Sequence, residues 1–217
     1  MSHDGWGVQI DGGWFHEETH RYRCTAGYIR PSATQVFEIL GMSDFSAISP
    51  LVVEWKRNYG QAVHAAGQFL ATGDLDWDTV DDAIIPAATG IEMWLKKYEF
   101  ICEGTEELKI RTLFGMQYGT RLDLRGSLMY HGRRRNVIVD YKTGSKKSKT
   151  WDWQLGSYYV DQPKVEGGWI GVILQIDMDG TVEPHWVLDL EKEKREFQVL
   201  LASAILKINN GFVKLAA

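Results

Sequence analysis

Val137-Ile138-Val139-Asp140-Tyr141-Lys142-Thr143-Gly144 is the stretch on which the reading of this chain turns. β-branched residues lead into an acid, an aromatic and a lysine, and Thr-Gly ends the run, so the segment reads as a buried strand that stops at a turn. Side chains alternate along a strand, so Asp140 and Lys142 share one face while Tyr141 takes the other. Upstream, Tyr118 to Tyr130 alternates and is rich in β formers, and His131-Gly132-Arg133-Arg134 supplies a turn. The two segments predict an antiparallel hairpin that sets Asp123 near the register of Asp140 or Lys142, shifted by a residue or two where a bulge intervenes. Two carboxylates and a lysine then converge. Two hard oxygen ligands suit Mg²⁺ or Mn²⁺, and an ammonium beside such an ion can hold or deprotonate a water or stabilise charge on a phosphoryl oxygen. An isolated Asp-x-Lys pair, by contrast, is often a surface ion pair of about 0–1 kcal/mol. The order of the surrounding parts decides between the two.

Downstream, Thr150 to Asp161 predicts a helix with Gln154 and Tyr158 on one face. Upstream, Leu51 to Ala71 carries helical spacing through Leu51, Trp55, Val63 and Phe69, and brings Gly60 and His64 to one face. By spacing alone His64 is a packing or surface histidine. Taken in order, however, Gly60-Gln61-Ala62-Val63-His64, Asp123, Asp140-Tyr141-Lys142 and Gln154-x-x-x-Tyr158 resemble the PD-(D/E)XK nucleases, specifically the RecB-like exonuclease branch in its phage and bacterial form without an iron–sulfur cluster. The resemblance runs from about His20 to Tyr158. It implies that His64, Asp123, Asp140 and the main-chain carbonyl of Tyr141 hold Mg²⁺ or Mn²⁺, that Lys142 is catalytic beside the two acids, and that Gln154 and Tyr158 shape the DNA side of the site. Relatives also place a glutamate near the metal or its water. Glu107, 16 residues before Asp123, fits that place, and Glu106 fits it as well by eye. One departure is visible: the family's Gly-x-x-Asp is here Gly119-Thr120-Arg121-Leu122-Asp123, one residue longer, which a local bulge would absorb.

The resemblance implies an α/β, restriction-endonuclease-like core: a mixed central sheet with an antiparallel hairpin, flanked by helices, in a single domain over residues 1–217, with 1–30 a small N-terminal β-ribbon. The implied activity is metal-dependent hydrolysis of DNA phosphodiesters, exonucleolytic, in phage or bacterial recombination or repair. A structure-specific or restriction-like endonuclease on the same fold is the first alternative. The second is a DNA-binding accessory module that has lost the chemistry, which would predict a missing ligand or lysine. DNA is the implied partner, and the resemblance leaves room for an annealing protein, a helicase or a homo-oligomer.

With 217 residues, 44% hydrophobic and 24% charged, the chain is long enough for one globular domain with a sizeable core. Cys24 and Cys102 are the only cysteines, with no Cys-x-x-Cys, so cysteine alone builds neither a zinc site nor a four-cysteine cluster. No apolar run reaches the roughly 18 residues of a membrane span, and the start lacks a secretory pattern, which points to the cytoplasm; the resemblance implies that of a bacterial or phage-infected cell. The net charge of −5 runs against phosphate binding. Local charge answers part of this: between His131 and Thr150, seven lysines and arginines stand against Asp140 alone. Arg133, Lys146 and Lys147 are the substrate-binding candidates from that stretch, and for Lys146 to Lys149 a solvated lysine loop is an equal alternative.

The remaining segments frame the hairpin. Ser32 caps a short helix that ends at Gly41, and Asp44 to Pro50 connects it to the next. Acids from Asp74 to Asp82 lack the glycine and glutamate of a calcium loop and instead precede a helix over 82–100 that Pro86 and Gly90 would delay or bend. A strand follows over 103–113, and Met178-Asp179-Gly180 turns a later hairpin that extends the sheet. A closing helix runs over 191–210 with Phe197, Leu201 and Ile205 inward. Trp151 and Trp153 read as packing residues rather than base-stacking ones.

Overall fold

Proline at the head of an amphipathic run and glycine at its end make the longest helix of the chain, and alternating apolar positions make a sheet for it to lie on. The computed structural model describes residues 6–42, 49–144 and 147–215. In chain order the elements are β1 (Val8–Ile10), β2 (Gly13–His16), β3 (Arg21–Cys24), β4 (Ile29–Arg30), α1 (Ala33–Ile39), α2 (Pro50–Thr72), α3 (Ile85–Lys97), β5 (Ile101–Leu113), β6 (Met116–Tyr130), β7 (Arg133–Lys142), α4 (Lys149–Tyr158), β8 (Trp169–Ile176), β9 (Val182–Val187) and α5 (Leu190–Asn209). Most of the expected loop from Asp44 to Pro50 falls at 43–48, outside the described residues.

The central sheet has the order β5-β6-β7-β8-β9. β5, β6 and β7 form an antiparallel meander, β7 and β8 are parallel, and β9 returns antiparallel. A parallel neighbour demands a crossover, and α4 supplies it, so the helix bearing Gln154 and Tyr158 leaves from the end of the strand bearing Asp140 and Lys142. The fold is therefore a mixed α/β sheet around an antiparallel hairpin. Before it, β1 to β4 form a separate antiparallel sheet, whose Phe15, Tyr22 and Cys24 bury against Ile110 of β5.

Helices cover both faces. Val63 and Ala66 of α2 and Ile91 and Trp94 of α3 pack on Leu124, Val137, Val139, Tyr141 and Val172. On the other face Leu155 and Tyr158 of α4 and Leu190 of α5 meet Leu122, Ile138 and Ile173. Val137, Val139 and Tyr141 lie on the first face and Ile138 on the second, as alternation along β7 requires. β6 breaks the same rule, since Leu122 sits with the α4 side and Leu124 with the α2 side. The irregularity falls on Asp123.

Helix ends follow local chemistry. Ser32 and Gln35 form a complete capping box at α1, and Gly73, at φ 81°, closes α2. Pro86 stands in the first turn of α3, which begins at Ile85 rather than 82, and a Cβ at Gly90 would lie 2.1 Å from the carbonyl oxygen of Gly180, so this glycine lets the β8–β9 turn rest on the helix. Gly156 does the same between α4 and α5, where a Cβ would come within 2.4 Å of the Glu193 carbonyl carbon. Backbone cannot swing aside, so Gly156→Ala is expected to destabilise the protein by about 1–3 kcal/mol. Urea unfolding would read this as a lower midpoint at unchanged slope, and an unshifted midpoint would contradict the packing.

Candidate active site

β6 and β7 pair only as far as Leu124 and Val139. One step further, where Asp123 faces Asp140 in register, the strands part and a side chain takes over the ladder: Tyr141 N–H donates to Asp123 Oδ2 at 2.7 Å. The carboxylate is thereby fixed at the fork. Its other oxygen, Oδ1, lies 3.2 Å from Nδ1 of His64, which α2 carries across the sheet. Tyr141 points to the α2 face, its hydroxyl 3.4 Å from the carbonyl oxygen of Gly67 and its ring set edge-on to His64 at 5.6 Å. The aromatic residue between acid and lysine thus seats the histidine.

Asp140, on the opposite face of β7, is 1% exposed. Its Oδ2 forms an ion pair with the Lys142 ammonium and otherwise makes no hydrogen bond among the described residues. Its Oδ1 accepts from the Tyr158 hydroxyl at 3.3 Å, and that hydroxyl in turn accepts from Gln154 Nε2 at 2.5 Å. Burial holds the Tyr158 phenol far above its ordinary range, so it remains a donor.

Glu106 completes the group. It stands opposite Asp123 on β5, between the pairs Thr105↔Leu124 and Glu107↔Leu122, with φ at 50°. That left-handed conformation costs a non-glycine residue about 1–3 kcal/mol and persists only where the surrounding structure holds it. Arg121 forms an ion pair with the Glu106 carboxylate. One ligand atom from each of His64, Glu106 and Asp123 falls within 4.8 Å of the others.

These residues floor a cleft of about 830 Å³, walled by α2 on one side and by α1 and the N-terminal sheet on another. Gly60 lines it too, close enough to β7 that a Cβ would stand 3.1 Å from Thr143 Oγ1. His64, Asp123, Asp140, Lys142, Gln154 and Tyr158 are all in its wall.

Other candidates lie elsewhere. Glu107 is turned out of the cleft, with its carboxylate on Arg125 at 2.9 Å and Lys109 at 3.6 Å, so Glu106 takes the place expected of it. Glu106 and Glu107 alternate on an ordinary strand, and only the kink at Glu106 and Asp123 selects between them. Arg133 does not reach the site: it begins β7, seven residues before Asp140 and therefore about 23 Å away. The basic stretch does not act as one patch either, since Arg134 is bound to Glu99 and Ser127, and Arg135 to the Gly167 carbonyl. Lys147 is exposed just before α4 and outside the cleft wall, and Lys146 lies outside the described residues. Trp153 packs on Phe37 and donates to Glu196, as a structural tryptophan. Sequence reasoning did not single out Arg121, although alternation along β6 sets it on the same face as Asp123, and both line the cleft.

The charges are pushed apart. Burial would raise Asp123, but His64, Lys142 and the Tyr141 N–H outweigh it and hold this acid below the usual carboxylate range. Asp140 moves up: burial dominates, Lys142 offsets part of it, and the neighbouring Asp123 charge adds to it. His64 loses by burial and gains more from Asp123, so its ring titrates above the ordinary 6.5. The His64–Asp123 pair therefore stabilises the fold fully below pH 6.5 on the histidine side, and this is lost as pH rises through the raised value. On the aspartate side the stabilisation is present above the ordinary 3.8 and lost as pH falls through the lowered value.

The donor set fits a divalent cation. Carboxylate oxygens suit Mg²⁺ or Mn²⁺, one imidazole nitrogen favours Mn²⁺ among them, and Asp140 Oδ2 is a buried oxygen with an acceptor position to spare. His64 must shed its proton to ligate. Mn²⁺ affinity is accordingly expected to rise about tenfold per pH unit while pH remains below the raised His64 value, then to level off. Calorimetric titration between about pH 6 and pH 8 would measure it, and a flat profile would contradict His64 as a ligand.

No family model and no curated protein matches the sequence. Among solved structures, a crystal structure of a "Putative exonuclease" from Eubacterium rectale resembles the chain at a TM-score of 0.44 and 12% identity, covering 82% of this chain and 74% of that one. The crystal structure of SSO0001 gives 0.31 and 16%, covering 68% and 74%. Likeness this remote carries no functional inference, and the site speaks through its own geometry. Among the described residues, no helix is long and apolar enough to cross a membrane.

Proposed function

We propose that the protein is a metal-dependent deoxyribonuclease of the PD-(D/E)XK type, hydrolysing DNA phosphodiesters from an end. The observation that carries this reading is the convergence in one cleft of Asp123, Asp140 and Lys142 from the β6–β7 hairpin with His64 from α2, about 60 residues before Asp123. His64, Glu106, Asp123 and Asp140 are the residues that would hold the cation, with the Tyr141 carbonyl as the further ligand that the resemblance implies. When bound, a divalent cation supplies Lewis-acid charge to the phosphoryl oxygens.

The chain's own groups do the rest. Lys142, anchored on Asp140, presents an ammonium where charge accumulates on the transferring phosphoryl group or where the attacking water must be oriented. Tyr158 and Gln154 hold Asp140 in place from the α4 side, and Tyr141 holds His64 from the α2 side. Arg121 keeps Glu106 in the cleft. A structure-specific or restriction-like endonuclease would use the same floor, so topology of the substrate separates the two. With Mn²⁺ present, end-labelled linear DNA is expected to be degraded while covalently closed circles survive. Cutting of circles would replace the exonuclease with the endonuclease.

A further inference from the structure

The cleft extends beyond the acids along α2. Lys56, Arg57, Gly60, Gln61 and His64 all line it, a spacing that belongs to one helical face. From Lys56 to His64 the helix rises about 12 Å, the length of three to four nucleotides of a B-form strand at about 3.4 Å each. The other cations of the cleft are committed, Lys142 to Asp140 and Arg121 to Glu106. Lys56 and Arg57 are exposed and have no carboxylate partner among the described residues. The wall built by α1 and the β2–β3 loop carries Glu17 and Glu38 instead. The cleft is thus polarised across its width, and a polyanion entering it is drawn to the α2 side.

We propose that Lys56 and Arg57 bind the backbone phosphates of the DNA strand leading into the metal centre, with α2 as the track that brings the strand to His64. The proposal rests on the nuclease reading above and adds to it the path of the substrate. It also resolves the charge problem, because an acidic protein needs only a local pair of uncommitted cations beside its acids to hold a strand. Gly60, one turn along the same face, keeps the track free of a side chain where α2 meets Thr143.

The test is binding in EDTA of a fluorescent duplex with single-stranded tails, comparing the full chain with Lys56→Gln/Arg57→Gln and with the charge-matched control Lys96→Gln/Lys97→Gln on α3. Glutamine is a good helix former, and an unchanged melting midpoint would show that the folds are equal. The cleft variant is expected to bind about ten- to thirtyfold more weakly at about 0.1 M salt, with the slope of log affinity against log salt reduced by about 1.4–1.8, while the control matches the wild type. Equal binding and equal slope in the cleft variant, or an equal loss in the control, would overturn the track and leave the nuclease standing. Absence of any DNA binding by the wild type would remove both.

Discussion

Lys142→Ala is expected to slow DNA hydrolysis by about 10²- to 10³-fold in kcat, the range produced by losing one preorganised group that stabilises developing charge. The lysine stands two residues beyond Asp140 on the same strand face, and its ammonium is the ion partner of the buried Asp140 Oδ2. Its removal has a second effect with a definite sign. Burial already pushes Asp140 upward and Lys142 is the largest influence opposing this, so the variant's Asp140 titrates higher still and competes less well for a cation. Rates must therefore be compared at saturating Mn²⁺, where the loss of kcat isolates the ammonium. A loss smaller than about tenfold under those conditions would assign Lys142 to holding Asp140 and nothing more.

Asp123→Asn is expected to weaken Mn²⁺ binding by more than about 100-fold, beyond what loss of a supporting residue outside the ligand shell costs. Asparagine retains an oxygen to accept from the Tyr141 N–H, so the fork between β6 and β7 survives, whereas the charge that lifts His64 disappears. Burial then governs the imidazole, and its titration falls below the ordinary value. Two readouts follow from one substitution: calorimetry should show the lost cation, and an NMR titration of His64 should show the downward shift. Retained Mn²⁺ affinity would place the cation away from Asp123.

Much of this was legible in the sequence, for physical reasons that are local. The Val137–Thr143 strand, its hairpin with β6 and the two helices bearing His64 and Gln154 are each written in short-range periodicity and turn chemistry, and the structure has them within a few residues. Asp123 and Asp140 meet because a hairpin with a short turn fixes register. What stayed hidden depends on departures from periodicity. The face-switch between Leu122 and Leu124 and the left-handed Glu106 decide which glutamate enters the cleft, and alternation alone points either way. The bulge expected to absorb the longer Gly119–Asp123 step is not there: the β5–β6 register is continuous from Gly119 to Leu124, and its shift falls between Cys102 and Gly104 instead. Charge misled in a similar manner. Arg133 to Arg135 are close to Asp140 in sequence, yet a strand is extended, and proximity along it becomes distance at about 3.3 Å per residue. Lys56 and Arg57, which do line the cleft, are more than 60 residues before Asp123 and are placed there by the length of α2.

The most direct test of the whole account is the release of label from end-labelled linear DNA by the wild-type protein as Mn²⁺ or Mg²⁺ is titrated against EDTA. The account predicts no release in EDTA, a saturable rise with either cation, and loss of that rise in Asp123→Asn. No release at any cation concentration by a protein that still binds DNA would contradict it and leave a binding module on a nuclease-like site; release that persists in EDTA would contradict the metal centre itself.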